Sequence, residues 1–545
     1  MRPTTGGLLA PNADPQWRQR FYDANLYGQS TIGQEMAAAA FRDPGVSIEF
    51  YGTERATTVT SLAEIHRRSM RVADGLRRLG VGAGDRVAVQ IPNWVEGAIA
   101  FQALMYLGAV AVPIVHIYGP TEVGFILRQS QARAYIVPDR WRNVDYLERL
   151  DGLGDTPSVE HLIVIGDRLP PGACSWDSIE AGGDNPITEV PADPDAICLI
   201  IYTSGTTAEP KGVQHTHNTL LAEVRSTRAA LDNVTGPVLA AFPAGHIAGV
   251  LNVLRMSLFA IKTILMDRWD PAEAARLISE RLVSATSGAP VFLASLLEER
   301  IRQGLDLSSL QSYLVGAASV PPALVEEAQA AGIPAFRCYG SSEHPVVTTG
   351  TPLDPLAERA MTDGRPTVGN ELRLVDDDGN DVAPGRDGEL LCRGPEQFVG
   401  YTNVSLNDDA FTPGGWFRTG DVGRLKPGGW LTITDRKKDV VIRGGENISS
   451  KEVEDLLSRH PAVAEVAVVA APDPRMGETV CAFVIPRSGA TLSLEEVQGF
   501  FREAGVARQK TPERLEIVED LPRSAAGKVR KVDLRARLSV HDLSG

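Results

Sequence analysis

An α/β fold is predicted for this chain: a large N-terminal domain of layered α/β sheets carrying a strand-rich subdomain, followed by a small α+β C-terminal domain. Three observations carry that expectation. From Thr60 onward, segments of helical period alternate with segments of strand period. The strand candidates are apolar throughout rather than every second residue, the pattern of a mixed or parallel sheet covered on both faces. Beyond about Gly369 the texture changes to short strands separated by turn signals. At 545 residues the chain exceeds what one hydrophobic core supports, so at least two domains are expected.

The elements follow in order. Ser61 and Glu64 form a capping-box signature, and Leu62, Ile65, Val72, Leu76 and Leu79 recur at helical spacing, which predicts a helix over 62–79. Gly80-Val81-Gly82-Ala83-Gly84 then turns the chain into a strand at Arg86 to Val89. Because this glycine cluster follows a helix and precedes a strand, it is a turn and not a dinucleotide-binding fingerprint, whose context is the reverse. The uncharged run from Gly97 to Val115 is long enough to suggest a membrane span, but Gln102, Gly108 and Pro113 interrupt it, so helix, turn and buried strand are expected instead. Further strands are expected at Ala134 to Val137, His161 to Ile165 and Ala196 to Tyr202. In the strand-rich part, Asp376 to Asn380 and Pro413-Gly414-Gly415 are turn signals. Five consecutive charged residues, Asp435 to Asp439, leave little to bury and mark the expected boundary. After it come a capped helix from Ser449 with Glu452, strands at Val466 to Val469 and Cys481 to Ile485, a second capped helix from Ser493 with Glu496, and a strand at Leu515 to Val518.

Composition excludes several classes. With 43% hydrophobic and 23% charged residues the chain is an ordinary globular protein, not a disordered or fibrous one. The formal charge of −15 repels polyphosphate backbones, so nucleic acid is not the expected partner, although the C-terminal end from Arg508 to Arg537 is locally basic. Five widely spaced cysteines without a C-x-x-C arrangement argue against a disulfide framework or a zinc site and for a reducing compartment, here the cytoplasm. The opening residues lack an apolar stretch of the signal-peptide kind.

The first chemical motif stands directly after the apolar strand ending at Tyr202: Thr203-Ser204-Gly205-Thr206-Thr207-Ala208-Glu209-Pro210-Lys211-Gly212. Hydroxyl residues and glycines offer side-chain donors and exposed backbone N–H groups together, and Lys211 adds a mobile cation, as polyphosphate binding requires. It is not a Walker A loop, since Pro210 precedes the lysine and Gly212 follows it.

With this loop the sequence resembles the ANL superfamily of adenylate-forming enzymes, which includes acyl-CoA synthetases, firefly luciferases and nonribosomal-peptide adenylation domains. The resemblance runs from about Thr60 to Leu534, with several motifs in the family's order. It implies that Thr203, Ser204, Gly205, Thr206, Thr207 and Lys211 bind ATP phosphates; Ala208 stands where the family usually has glycine, which narrows backbone freedom there. Tyr339-Gly340-Ser341-Ser342-Glu343 resembles the adenine and magnesium motif, with Tyr339, Gly340 and Ser342 beside the nucleotide and Glu343 the Mg2+ carboxylate. Gly316-Ala317-Ala318 matches the backbone that lines adenine. In Trp416 to Asp421 the aspartate would hold both ribose hydroxyls, as one carboxylate can accept two hydrogen bonds from a vicinal diol. Arg436 falls at the second ribose contact and Lys438 at the hinge, dividing the chain into an adenylation domain, 1–437, and a mobile domain, 438–545.

The remaining implied residues carry the transfer chemistry. Gly444, Gly445 and Glu446 match the loop lining the pantetheine tunnel, which makes coenzyme A the expected co-substrate beside ATP and Mg2+. Lys528, in Leu521 to Arg530, matches the catalytic lysine; a flexible ammonium there sits where negative charge concentrates between the carboxylate and the α-phosphate. His246, in Pro243 to Gly249, resembles the position guarding the junction of the acyl and CoA channels, and Ser287 to Pro290 borders the acyl pocket. Amino-acid-activating relatives place an aspartate where this chain has Ala241-Phe242-Pro243, so an apolar carboxylic acid is expected. The texture is most like bacterial medium-chain and cyclohexanecarboxylate-type CoA ligases. The competing readings are an acyl-AMP ligase loading a carrier protein, a luciferase-like oxygenase, and a non-catalytic acyl- or nucleotide-binding protein. The last is disfavoured because Lys211, Glu343, Asp421, Arg436 and Lys528 are all present. No integral membrane span is expected; a homodimer is kept as the expected assembly, although no motif carries it.

Overall fold

The structure, a computed structural model, describes residues 13–181, 190–203, 210–228, 234–443, 446–504, 506–524 and 527–541. Among them, one sheet has seven strands in the order Lys211–Thr216, Ile197–Thr203, Val110–Pro113, Arg86–Val89, Ala134–Pro138, His161–Ile165 and Cys174–Ser175. Its neighbours are parallel except for the first pair, an antiparallel hairpin. A second sheet, nine-stranded among the described residues, has a parallel body from Ala335–Tyr339 across to Ser47–Tyr51 and antiparallel strands at both edges.

The uncharged run divides as expected: helix Val95–Leu107, a left-handed turn at Gly108 with φ of 67°, and strand Val110–Pro113. Apart from Gly97, every residue of this helix is buried. It is apolar on all sides because it packs between layers, with the Leu62–Arg78 helix against it and the seven-stranded sheet beneath. Among the described residues, no helix is long and apolar enough to cross a membrane. The five cysteines are free.

The expected caps form with one kind of difference. Ser493 and Glu496 make the complete reciprocal box. At Ser61 the hydroxyl accepts from Glu64 N at 3.2 Å, but the Glu64 carboxylate turns to Arg67 Nε at 2.8 Å. Likewise Ser449 caps its helix while Glu452 accepts from Lys510 Nζ at 2.6 Å. A charged donor within reach outcompetes the neutral N–H of the capping residue.

The strand-rich part is an antiparallel four-stranded sheet, Glu371–Val375, Gly388–Arg393, Phe417–Lys426 and Trp430–Arg436. The last unit is built on Val463–Asp473 paired with Gly477–Pro486, flanked by Val441–Arg443 and, in parallel, by Arg514–Ile517. Two hydrophobic clusters pack on this sheet, and both draw only on residues between Val441 and Leu538.

The charged run at 435–439 corrects the sequence expectation, because two of its members are buried. Asp435 accepts hydrogen bonds from Ser450 N at 2.5 Å and Ser450 Oγ at 3.0 Å, and Asp439 pairs with Arg535. Partners supplied by the following unit make burial of these carboxylates tolerable.

Candidate active site

The Ile197–Thr203 and Lys211–Thr216 hairpin brings Thr203 opposite Lys211; Ser204, Gly205, Thr206 and Thr207 lie outside the described residues. The segment 398–402 lies along the second strand, with Val399 N donating to Gln214 O at 2.9 Å, Gln214 N to Gly400 O at 3.1 Å and Thr402 N to Gly212 O at 2.8 Å. This pairing delivers Tyr401, whose hydroxyl donates to Glu343 Oε1 at 2.9 Å. The Lys211 ammonium stands 5.2 Å from the centre of the Tyr401 ring. Phe398 N donates to Glu343 O at 2.8 Å, so both ends of Glu343 are held by one segment.

Glu343 lies in the turn after strand Ala335–Tyr339. Gly340 in that turn is required by close approach: a Cβ there would stand 2.0 Å from Pro345 O. The Ser342 carbonyl accepts from His215 Nε2 at 2.7 Å. Burial pushes His215 down to about 4, so the ring is neutral and donates through that nitrogen. Gly316 is buried after strand Ser312–Val315; Ala317 follows, exposed, in the left-handed region at φ of 66°, and Ala318 is half-buried. A non-glycine residue held there costs about 1–3 kcal/mol, a strain that concentrates at ligand sites.

Tyr339 hydroxyl donates to Asp421 Oδ2 at 2.5 Å, and Arg436 Nε stands 3.0 Å from Asp421 Oδ1. Burial, then the Asp421 charge, pushes the phenol well up, so it remains a donor at any working pH. Asp421 is itself buried, and both its oxygens face donors that a diol could replace.

Lys528 arrives from the C-terminal unit on a turn closed by Ser524 N donating to Lys528 O at 2.7 Å. A Cβ at Gly527 would stand 3.2 Å from Val291 Cγ1 and 3.4 Å from Ala289 Cβ, so this turn is seated against the Ser287 to Pro290 segment. Burial first, then the Arg436 charge, pushes the Lys528 ammonium down to about 7, with Lys438 adding to the effect and Asp421 opposing it. Its charge also reaches His246, which burial and Lys528 together push down to about 4.

His246 caps helix Ile247–Leu258, its Nδ1 accepting from Ala248 N at 3.2 Å, which assigns the ring proton to Nε2. The ring stacks on Phe242 with centroids 6.0 Å apart. Phe242 in turn lies 5.8 Å from Phe292, which stacks on Trp269 at 4.5 Å. This wall is aromatic, and Ala241 and Phe242 are buried without a charged neighbour in sequence.

The structure thus brings Tyr339, Asp421, Arg436, Lys438, His246 and Lys528 to one place, with Lys211 and Glu343 joined beside them through Tyr401. Burial, then Arg436, lowers the Lys438 ammonium, and its carbonyl accepts from Arg535 at 3.4 Å. Glu446 is exposed on strand Glu446–Ile448; Gly444 and Gly445 lie outside the described residues. Sequence reasoning missed Tyr401 and His215. Neither stands in a motif that local chemistry singles out.

Comparison with known proteins fits this arrangement. Residues 37–402 match the AMP-binding enzyme family and residues 452–528 the AMP-binding enzyme C-terminal domain. The chain is 34% identical over 535 residues to the medium-chain fatty-acid–CoA ligase of Escherichia coli (strain K12), covering 95% of this chain and 92% of that protein. It is 32% identical over 495 residues to the 2,3-dihydroxybenzoate-AMP ligase of Bacillus subtilis (strain 168), covering 89% and 90% respectively. Among solved structures, the anthranilate CoA ligase AuaEII in complex with anthranoyl-AMP superposes with a TM-score of 0.85 at 25% identity, covering 95% of this chain and 98% of that one. The chain belongs to the AMP-binding enzymes and is an adenylate-forming enzyme of the ANL superfamily.

Proposed function

We propose that the chain is an AMP-forming acyl-CoA ligase acting on an apolar carboxylic acid. The observation that carries this reading is the placement of Lys528: a half-buried ammonium from the C-terminal unit, within electrostatic reach of Arg436, Asp421 and His246, whose ring stacks on the aromatic wall. The substrate carboxylate attacks the α-phosphorus of ATP and pyrophosphate leaves, which converts a poor acyl leaving group into a good one. Asp421 and Arg436 hold the ribose, Tyr339 and the Gly316 to Ala318 backbone flank adenine, and Lys211 with Thr203 and the Ser204 to Thr207 loop holds phosphates. Lys528 places its charge between the carboxylate and the α-phosphate, where negative charge grows.

Mg2+ fits Glu343. One oxygen is fixed by Tyr401, and the other accepts no hydrogen bond from the described residues. No cluster of three metal-ligating side chains exists among the described residues, which suits a cation that keeps waters and phosphate oxygens as its other ligands. When bound, the cation supplies charge neutralisation on the departing pyrophosphate.

The second half-reaction requires the 438–545 unit to turn about Lys438, withdraw Lys528 and present Gly444, Gly445 and Glu446, so that the CoA thiol attacks the acyl carbon and AMP leaves. The aromatic wall of Phe242, Phe292 and Trp269 supports an apolar acid. Lys528→Ala tests the reading: acyl-adenylate formation, followed as pyrophosphate release, should fall at least about 100-fold, while thioester formation from supplied acyl-adenylate persists. Normal adenylation by that variant would remove Lys528 from the chemistry and the reading with it.

A further inference from the structure

Lys211 and Glu343 carry opposite charges and touch the same side chain, yet no ion pair joins them among the described residues. Tyr401 contacts both. Its ring face receives the ammonium at 5.2 Å, and its hydroxyl donates to one carboxylate oxygen at 2.9 Å. The spacer is rigid. Tyr401 is buried, its N donates to Asn407 Oδ1 at 3.0 Å, a backbone bridge ties it to Val213, and the Phe398 ring packs edge-on at 4.8 Å. A cation over a π face and a carboxylate on a phenol are each satisfied without neutralising the other.

We propose that Tyr401 is a positioning residue that insulates Lys211 from Glu343, keeping the ammonium available to phosphate oxygens and the second carboxylate oxygen available to the divalent cation. The proposal rests on the reading of Glu343 as the Mg2+ carboxylate given above. Without the tyrosine, the cation and the anion would pair with each other, and both would be lost to the nucleotide. The two halves of the side chain therefore act separately: the hydroxyl serves the metal, the ring serves the phosphates.

Three variants of the full chain separate these roles, read by calorimetric ATP binding with and without Mg2+ and by the Mg2+ dependence of pyrophosphate release. Tyr401→Phe keeps the ring and removes the donor. The Mg2+ concentration for half-maximal rate should rise about ten-fold, with ATP affinity in the absence of Mg2+ unchanged and kcat restored at saturating Mg2+. Tyr401→Leu removes both groups, so ATP affinity should fall with and without the metal, by about three- to ten-fold in its absence. Melting temperatures near that of the parent chain confirm that each variant is folded; the conservative phenylalanine keeps the proposal testable if the leucine variant fails to fold. A wild-type Mg2+ dependence in Tyr401→Phe overturns the proposal. Glu343→Gln is the control. If it shifts the Mg2+ dependence while Tyr401→Phe does not, only the role of Tyr401 falls; if it shifts nothing, the metal assignment falls and takes this proposal with it.

Discussion

Lys528 is an ammonium kept where the exclusion of water and two neighbouring cations make it easy to lose its proton. Burial, Arg436 and Lys438 push it down to about 7, so at pH 8 the ligand-free protein holds it mostly neutral. Anions favour the charged form, so ATP or acyl-adenylate binding raises this value and draws a proton from solvent. Calorimetric titration at pH 8 in buffers of different ionisation enthalpy should show uptake of a substantial fraction of one proton per site, vanishing at pH 6 and in Lys528→Ala; equal heats in all buffers would contradict it. Lys528, Asp421 and Glu343 could be proposed from sequence because each sits in a short contiguous motif that resembles one of the family's. Tyr401 was not singled out because its contacts arise from pairing with a strand almost two hundred positions earlier and from its hydroxyl's approach to Glu343. The expectation that 435–439 leaves little to bury failed at Asp435 and Asp439 because Ser450 and Arg535, which make their burial possible, belong to the unit that follows.

At the scale of elements, helix His217–Ser226 and the Gly388–Arg393 strand are fastened through buried acids. Glu223, on the helix, pairs with Arg255; Glu396, just past the strand, accepts from Ser226 Oγ at 2.6 Å and Thr367 Oγ1 at 3.0 Å. Burial and the Glu223 charge push Glu396 up to about 8. In the unfolded chain a glutamate titrates near 4.3, so the folded protein binds the extra proton between those values. The associated stability is fully present below the lower value and is progressively lost as pH rises toward 8. Urea unfolding of Glu396→Gln should therefore show a flatter dependence of stability on pH between 5 and 8.5 than the parent chain, whatever the absolute offset; an identical slope would mean that Glu396 is ionised in the fold. Such a pair is invisible in sequence, whereas the Val95–Leu107 helix, the Gly108 turn and the Ser493 cap were legible because each is decided by its own few residues. The half-made boxes at Ser61 and Ser449 show the limit of that legibility: Arg67 and Lys510 changed the outcome.

For the whole molecule, alternation of period predicted the layered sheets, and the change of texture predicted the strand-rich sheet and the final α+β unit. Strand order, and the fact that Gly527, next to Lys528, is seated against Ala289 and Val291, came only from the structure, because both depend on contacts between distant parts. Family membership follows from matches along most of the chain; the acid and the acyl acceptor are the parts of the proposal that rest on pocket chemistry. In that proposal the aromatic wall favours an apolar acid, and the motion proposed for the 438–545 unit would bring a thiol to the adenylate. The most direct test is ATP-dependent pyrophosphate release over a panel of short, medium, long, alicyclic, aromatic and steroid-derived carboxylic acids, each with and without CoA, with products identified by mass. The account predicts sustained turnover only with CoA, for apolar acids, yielding acyl-CoA and AMP. Acyl-adenylate accumulating alike with and without CoA would contradict it and point to a carrier protein as the acceptor.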